Sequence, residues 1–321
     1  MFDTLCKSGV AIAAATVLFL SGCGGGGGSG TTSLPTLNVP EANATAANGA
    51  EAVIAIFSGQ IGGLTGYLPL AATVPQPAGF DATYFMLDKA GPVSKVMGYR
   101  TQTLNATYSD SYDCPYGGTM SYTESSTETQ MDATVTFSEC AFDVNFVMDG
   151  KMRMRAAGTN YGDTLSYMEV SFPADFTITD DMYTFYISAG SNMRTDYSEY
   201  DDVYGYFAGT MTSSVQWGVD GDMGRYDNLT VVFTEDYYSI PIETYCYKSG
   251  RIYVNDLTAS LDIDEAYDSY CDYKFYYEDF DLLSGSMRLI GSGGGLIYVN
   301  VTDINTITVS DQNGTDINVT L

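Results

Sequence analysis

Gly295-Leu-Ile-Tyr-Val-Asn-Val301 decides the fold. β-Branched and aromatic residues fill it, the composition that suits a pleated, half-buried strand. Thr306-Ile-Thr-Val309 follows at strand length. Gln312-Asn313-Gly314 then turns the chain toward Ile317-Asn-Val319, and Asn-Gly is the strongest short hairpin signal. The same composition recurs upstream in Thr119-Met-Ser-Tyr122, Ala133-Thr-Val-Thr-Phe137, Met182-Tyr-Thr-Phe-Tyr-Ile187 and Asn228-Leu-Thr-Val-Val-Phe233. Strand and turn alternate from about Tyr84 onward. The expectation is an all-β, mainly antiparallel domain, built as a sandwich or as a curved half-barrel. One helix precedes it. Pro40 suits a first helical turn, and Ala50, Val53, Ile54 and Phe57 recur at helical spacing, so a helix is expected over Pro40–Phe57.

The N-terminus carries an export signal. Val10 to Leu20 is an apolar run of eleven residues, too short to span a bilayer as a helix. Leu20-Ser21-Gly22-Cys23 then reads as a lipobox: small residues expose the bond to a peptidase, and the Cys23 sulfur takes the lipid. Two or three acyl chains hold a protein stably where one does not. Gly24 to Gly30 is glycine with one serine, a flexible tether. The expected organisation is a signal peptide over 1–22, a lipidated Cys23 with its tether over 23–39, and one β-rich domain over 40–321.

Cys6 leaves with the signal and Cys23 is acylated, which leaves Cys114, Cys140, Cys246 and Cys271 in an oxidising compartment. Cys114-Pro-Tyr-Gly-Gly118-Thr-Met120 parallels Cys246-Tyr-Lys-Ser-Gly250-Arg-Ile252. Gly150-Lys-Met152-Arg153 parallels Gly285-Ser-Met287-Arg288, and Gly209-Thr-Met211 repeats the opening. We read two pseudo-repeats, at about 105–175 and 237–302. Four cysteines allow three pairings, and only Cys114 with Cys140 and Cys246 with Cys271 staples each copy separately. A four-thiolate metal site is the rival, and no Cys-x-x-Cys spacing supports it.

The lipobox, the glycine tether, Cys114 to Gly118, Phe137-Ser-Glu-Cys140 and Gly150 to Met152 together resemble lipoproteins of Gram-negative bacteria with Cys-paired β repeats. The second copy departs from the pattern, since Asp268-Ser-Tyr precedes Cys271 without the phenylalanine. Gly24, rather than Asp, follows Cys23, which resembles the pattern that lets sorting proceed to the outer membrane. The resemblance implies an envelope address and an architecture, and no activity.

The chain contains no histidine, which removes Ser-His catalysis, His-based metal sites and histidine pH switches. A net charge of −27 repels nucleic acid and anionic headgroups. Asp262, Asp264, Glu265 and Asp268 gather inside the second cysteine loop, where calcium is one reading and a solvated acidic loop the other. Asp220-Gly221-Asp222 is a weaker candidate of the same kind. Tyr197, Tyr200, Tyr204 and Tyr206 lie among carboxylates, which suits either a sugar-binding face or a Tyr-rich strand. Among 40 acidic residues no catalytic pair stands out. The expectation is a non-enzymatic envelope protein without a cofactor other than its lipid, meeting the membrane through that anchor. An envelope protein, a glycan or an apolar ligand is the partner; a carrier of an apolar ligand or lipid in a half-barrel is the alternative function, and a carboxylate-based glycoside hydrolase the third.

Overall fold

The computed structural model describes residues 33–57, 107–126, 129–159, 164–179, 184–201, 206–219, 222–236, 242–278 and 281–320. It contains one α-helix, α1 (Ala46–Phe57), and eighteen strands among these residues. The strands are β1 (Thr107–Asp113), β2 (Thr119–Ser126), β3 (Gln130–Asp143), β4 (Phe146–Thr159), β5 (Thr164–Ser171), β6 (Phe176–Thr179), β7 (Thr184–Ile187), β8 (Asn192–Asp201) and β9 (Tyr206–Val219). They continue as β10 (Asp222–Asp236), β11 (Ile242–Val254), β12 (Ala259–Ile263), β13 (Phe275–Glu278), β14 (Asp281–Ser284), β15 (Ser286–Gly291), β16 (Gly295–Asp303), β17 (Thr306–Asp311) and β18 (Asp316–Thr320).

All eighteen belong to one antiparallel sheet that largely follows chain order. Four rows are made of two strands laid end to end. β5 lies along Arg153–Thr159 of β4 while β6 lies along Val147–Gly150. β8 and β7 continue against them and both pair with β9. β12 and β13 likewise share β11, with residues 264–274 looping out between them. β15 and β14 form the next row, against β12 and β13. Among the described residues β1 and β18 each pair on one side only.

The sheet must curve, because inward side chains from β2 through β18 belong to one core. Glycines at bulges allow part of that curvature. Gly150 has φ +119°, and a Cβ there would lie 2.2 Å from the Asp175 carbonyl oxygen, where β5 gives way to β6. Only glycine fits both the conformation and the approach. Gly285 takes φ +140° against Phe275. Met152 and Met287, two residues on, return to the core side. The Gly-x-Met motif is thus a backbone kink followed by a core side chain.

Helix α1 starts six residues later than Pro40. Pro40 and Ala42 are extended, pairing in parallel with Ser260 of β12: Ala42 donates to the Ser260 carbonyl at 2.7 Å, and Ser260 donates to that of Pro40 at 3.1 Å. Ser292 donates to the Ala42 carbonyl from the other side at 2.8 Å. The N-cap is Thr45, whose hydroxyl accepts from Asn48 N–H at 3.3 Å. Asp311, at the end of β17, accepts from Ala46 N–H at 3.3 Å. Backbone donation from Thr315, first, and from Asn313 and Ala46 holds its carboxyl below the usual range. The helix buries Val53, Ile56 and Phe57, and the Phe57 ring meets Phe275 at 4.8 Å and Tyr247 at 5.5 Å.

Candidate functional site

Leu20 to Cys23 and the glycine tether lie outside the described residues. Where the description begins, the chain is already in contact with the sheet. Gly190, in the break between β7 and β8, faces the backbone of Ser33 and Leu34. The Pro35 carbonyl accepts from the Arg225 guanidinium at 2.8 Å. Arg225 is 1% exposed, and Asp227 holds it through two hydrogen bonds at 2.9 Å. Its guanidinium also reaches Gln216 at 3.2 Å and lies 5.0 Å over the Tyr253 ring. Residues 33–39, read from sequence as the end of the tether, therefore run beside a buried arginine before the chain inserts next to Ser260.

The structure pairs Cys114 with Cys140 and Cys246 with Cys271, with Cα–Cα distances of 5.4 and 5.6 Å. The two sites differ locally. Cys114 opens the turn between β1 and β2, whereas Cys246 lies inside β11 and fastens the 264–274 loop across it.

The four carboxylates, Asp262 on β12 and Asp264, Glu265 and Asp268 in the loop, do not converge. Asp262 is bound by Arg251 at 2.7 and 2.9 Å on the open surface. Asp264 is buried and accepts from Arg288 at 2.5 Å and Ala266 N–H at 3.1 Å. Asp268 caps the loop itself, accepting from the backbone of Asp272 at 2.6 Å and Tyr273 at 3.1 Å. Glu265 is exposed. Three of these four carboxylates already serve guanidinium or amide donors, and no group of three metal-binding residues occurs among the described residues. Asp220 and Gly221 lie outside that description.

The tyrosine cluster is only partly described. Tyr197 turns inward, packing edge-on against Phe233 at 6.1 Å. Tyr206 is half-buried, Tyr204 lies outside the description, and Tyr200 is placed only as a strand residue opposite Phe207. Tyr197 is thus withdrawn from an exposed aromatic face.

The inner side of the sheet carries two features that sequence reasoning missed. Met120, Met154, Met168, Met193 and Met211 are all buried there, with Met152 packed beside them. Flexible, polarizable thioethers suit adaptable apolar surfaces. At one end of the same side, Glu235 and Glu243 are cross-strand partners on β10 and β11. Both lie within reach of one hydroxyl: Tyr245 Oη is 3.0 Å from Glu235 Oε1 and 2.8 Å from Glu243 Oε2. Tyr277, opposite Glu243, is buried. Burial first, then Tyr247 and Glu243, pushes its ionisation well above the ordinary range, so it stays a neutral donor. A second acid–tyrosine pair joins buried Tyr122 to Glu124. The usable signal was parity: Glu235 and Glu243 stand two residues from Phe233 and Tyr245, on the inward side of their strands.

No protein-family model, curated protein or solved structure matches the chain.

Proposed function

We propose that the protein is a lipid-anchored, non-enzymatic component of the cell envelope, held at the outer membrane through Cys23 and serving a binding role. The observation that carries this reading is the strap formed by residues 33–42. Within the stretch read as the end of the tether the chain is clamped at Pro35 by Arg225, and it then inserts beside Ser260. A pull on the lipid would therefore reach the sheet through backbone hydrogen bonds. The lipobox and glycine tether supply the other half of the attachment.

The absence of histidine and the pairing of Asp132, Asp227, Asp262 and Asp264 with arginine support the non-enzymatic reading. Glu235 and Glu243 are the residues a hydrolase would use. Hydrolysis of nitrophenyl glycosides that Glu243→Gln abolishes would overturn it. For the anchor, Cys23→Ser is expected to move the protein from the membrane to the soluble fraction, and retention in the membrane would refute the lipid.

A carrier of an apolar ligand is a second reading, favoured by the methionine-rich inner side of β2–β9. Those residues are buried, so loading requires that side to open. Mass spectrometry of organic extracts of the purified protein is expected to find a co-purified lipid, and its absence removes the carrier.

A further inference from the structure

The 264–274 loop is restrained along its whole length. Asp264 holds Arg288, whose guanidinium lies 5.0 Å over the Tyr267 ring. Tyr267 stacks on Tyr273 with centroids 5.3 Å apart and an interplanar angle of 21°, and its hydroxyl lies 3.2 Å from Ser286 Oγ. Asp268 caps the backbone of Asp272 and Tyr273, while the Lys248 ammonium donates to the carbonyls of Asp268 and Ser269 at 2.8 and 2.6 Å. Ser286 N–H donates to the Tyr273 carbonyl at 3.0 Å, and the disulfide to Cys246 pins Cys271. Two aromatic side chains of this ordered loop face water: Tyr270 is 88% exposed and Tyr273 is 52% exposed. A fixed loop that offers large rings at its tip has already met the ordering cost that binding otherwise imposes.

We propose that Tyr270 and Tyr273 form a stacking platform for a neutral glycan chain. The π face of a tyrosine is electron-rich and attracts the C–H face of a pyranose ring. Sugar hydroxyls need acceptors and donors beside the ring, and Glu265, Asp272 and Lys274 are exposed in the same loop. Three of the basic side chains around the loop are already engaged, Arg251 with Asp262, Arg288 with Asp264, and Lys248 with main-chain carbonyls, which disfavours a strongly anionic partner. The protein's charge of −27 also disfavours acidic polysaccharides. This platform is separate from the methionine-rich inner side and rests on neither the anchor nor the carrier reading.

The test uses the full mature chain in mild detergent. Native affinity electrophoresis in gels containing dextran, laminarin or galactomannan is combined with pull-down on cellulose, chitin and curdlan. At least one polysaccharide is expected to retain the protein. Tyr270→Ala combined with Tyr273→Ala should weaken that binding at least about ten-fold, the size of a hot-spot loss. Tyr270→Trp should strengthen it, and Tyr116→Ala, on the other disulfide turn, should leave it unchanged. Tyr270→Ala alone alters a solvent-exposed ring, so a lost signal there is not a folding defect. Lack of retention by every polysaccharide, or retention indifferent to both tyrosines, overturns the proposal. Capture of a protein through the same two tyrosines, without glycan binding, also overturns it.

Discussion

Arg225 and Pro35 are 190 residues apart in the chain and joined by a 2.8 Å hydrogen bond from guanidinium to carbonyl. The arginine is buried, and its partner Asp227 is partly buried. Arg225→Met removes the donor to the strap and leaves Asp227 with the Tyr253 hydroxyl, which donates at 2.7 Å. Breaking such a pair is expected to cost about 3 kcal/mol. For a domain of this size that lowers Tm by roughly 6–12 °C. Hydrogen exchange should quicken at residues 33–42 before it quickens in β9 or β10. Arg225→Lys should fall between, because an ammonium cannot reproduce the planar fork. Unchanged protection of the strap in Arg225→Met would show that the clamp does not hold it.

The bulge glycines give a second test through contrasting substitutions. Gly150→Ala meets both the Asp175 carbonyl and a φ of +119°, outside the ordinary left-handed region. Gly314→Ala, in the last hairpin, has φ +79° and open space around it. The hairpin change is expected to cost about 1–2 kcal/mol, the usual penalty for a side chain in left-handed backbone. The bulge change should cost clearly more, since the strands must also separate. Chemical denaturation of both variants measures the difference, and equal midpoints would mean that the sheet absorbs the bulge without strain.

The strands were legible because period-two alternation and turn residues are local signals. The pattern in Gly295–Val301 emerges as β16, and Gln312-Asn313-Gly314 as the turn before β18. The start of the helix was not legible from the proline rule. Ser260, more than 200 residues away, draws Pro40 and Ala42 into extended pairing, and the capping oxygen belongs to Thr45. The carboxylates around the second disulfide are a related case. Sequence proximity suggested one site, but their donors, Arg251 and Arg288, come from strands on either side of β12. The Glu235–Glu243 pair was hidden among many acids until strand register placed the two opposite each other.

The two disulfides close loops of 26 and 25 residues, so chain entropy alone makes them equal, at about 3.5 kcal/mol each. Their surroundings should separate them. Cys114→Ser with Cys140→Ser loosens a turn already tied by backbone bonds from Cys114 to Gly118 and from Ala141 to Gly117. Cys246→Ser with Cys271→Ser unpins the Tyr270 end of the loop, where Asp268 and Lys248 still hold the adjacent backbone. Both double variants should lose stability, and only the second should quicken exchange at residues 266–274. Non-reducing peptide mapping should join Cys114 to Cys140, and a Cys114–Cys246 peptide would refute this arrangement.

Alkali should unfold the protein through its buried tyrosines. Burial raises Tyr226 from 10.0 to about 12, and Tyr277 also stands well above 10.0. In the unfolded chain both ionise near pH 10. Below that pH both states keep these protons, and the stabilisation is fully present. Between pH 10 and 12 the unfolded chain releases them while the folded one does not, so stability falls as pH rises. A displacement of this size at Tyr226 corresponds to roughly 2–3 kcal/mol lost by pH 12. Absorbance at about 295 nm, where phenolate absorbs, should show most tyrosines titrating smoothly near their ordinary range. A late fraction should appear together with loss of near-ultraviolet dichroism. Tyr226→Phe removes one ionisable group, so its stability should decline less steeply with pH over that window. An unchanged slope would mean that Tyr226 is reached by solvent in the folded protein.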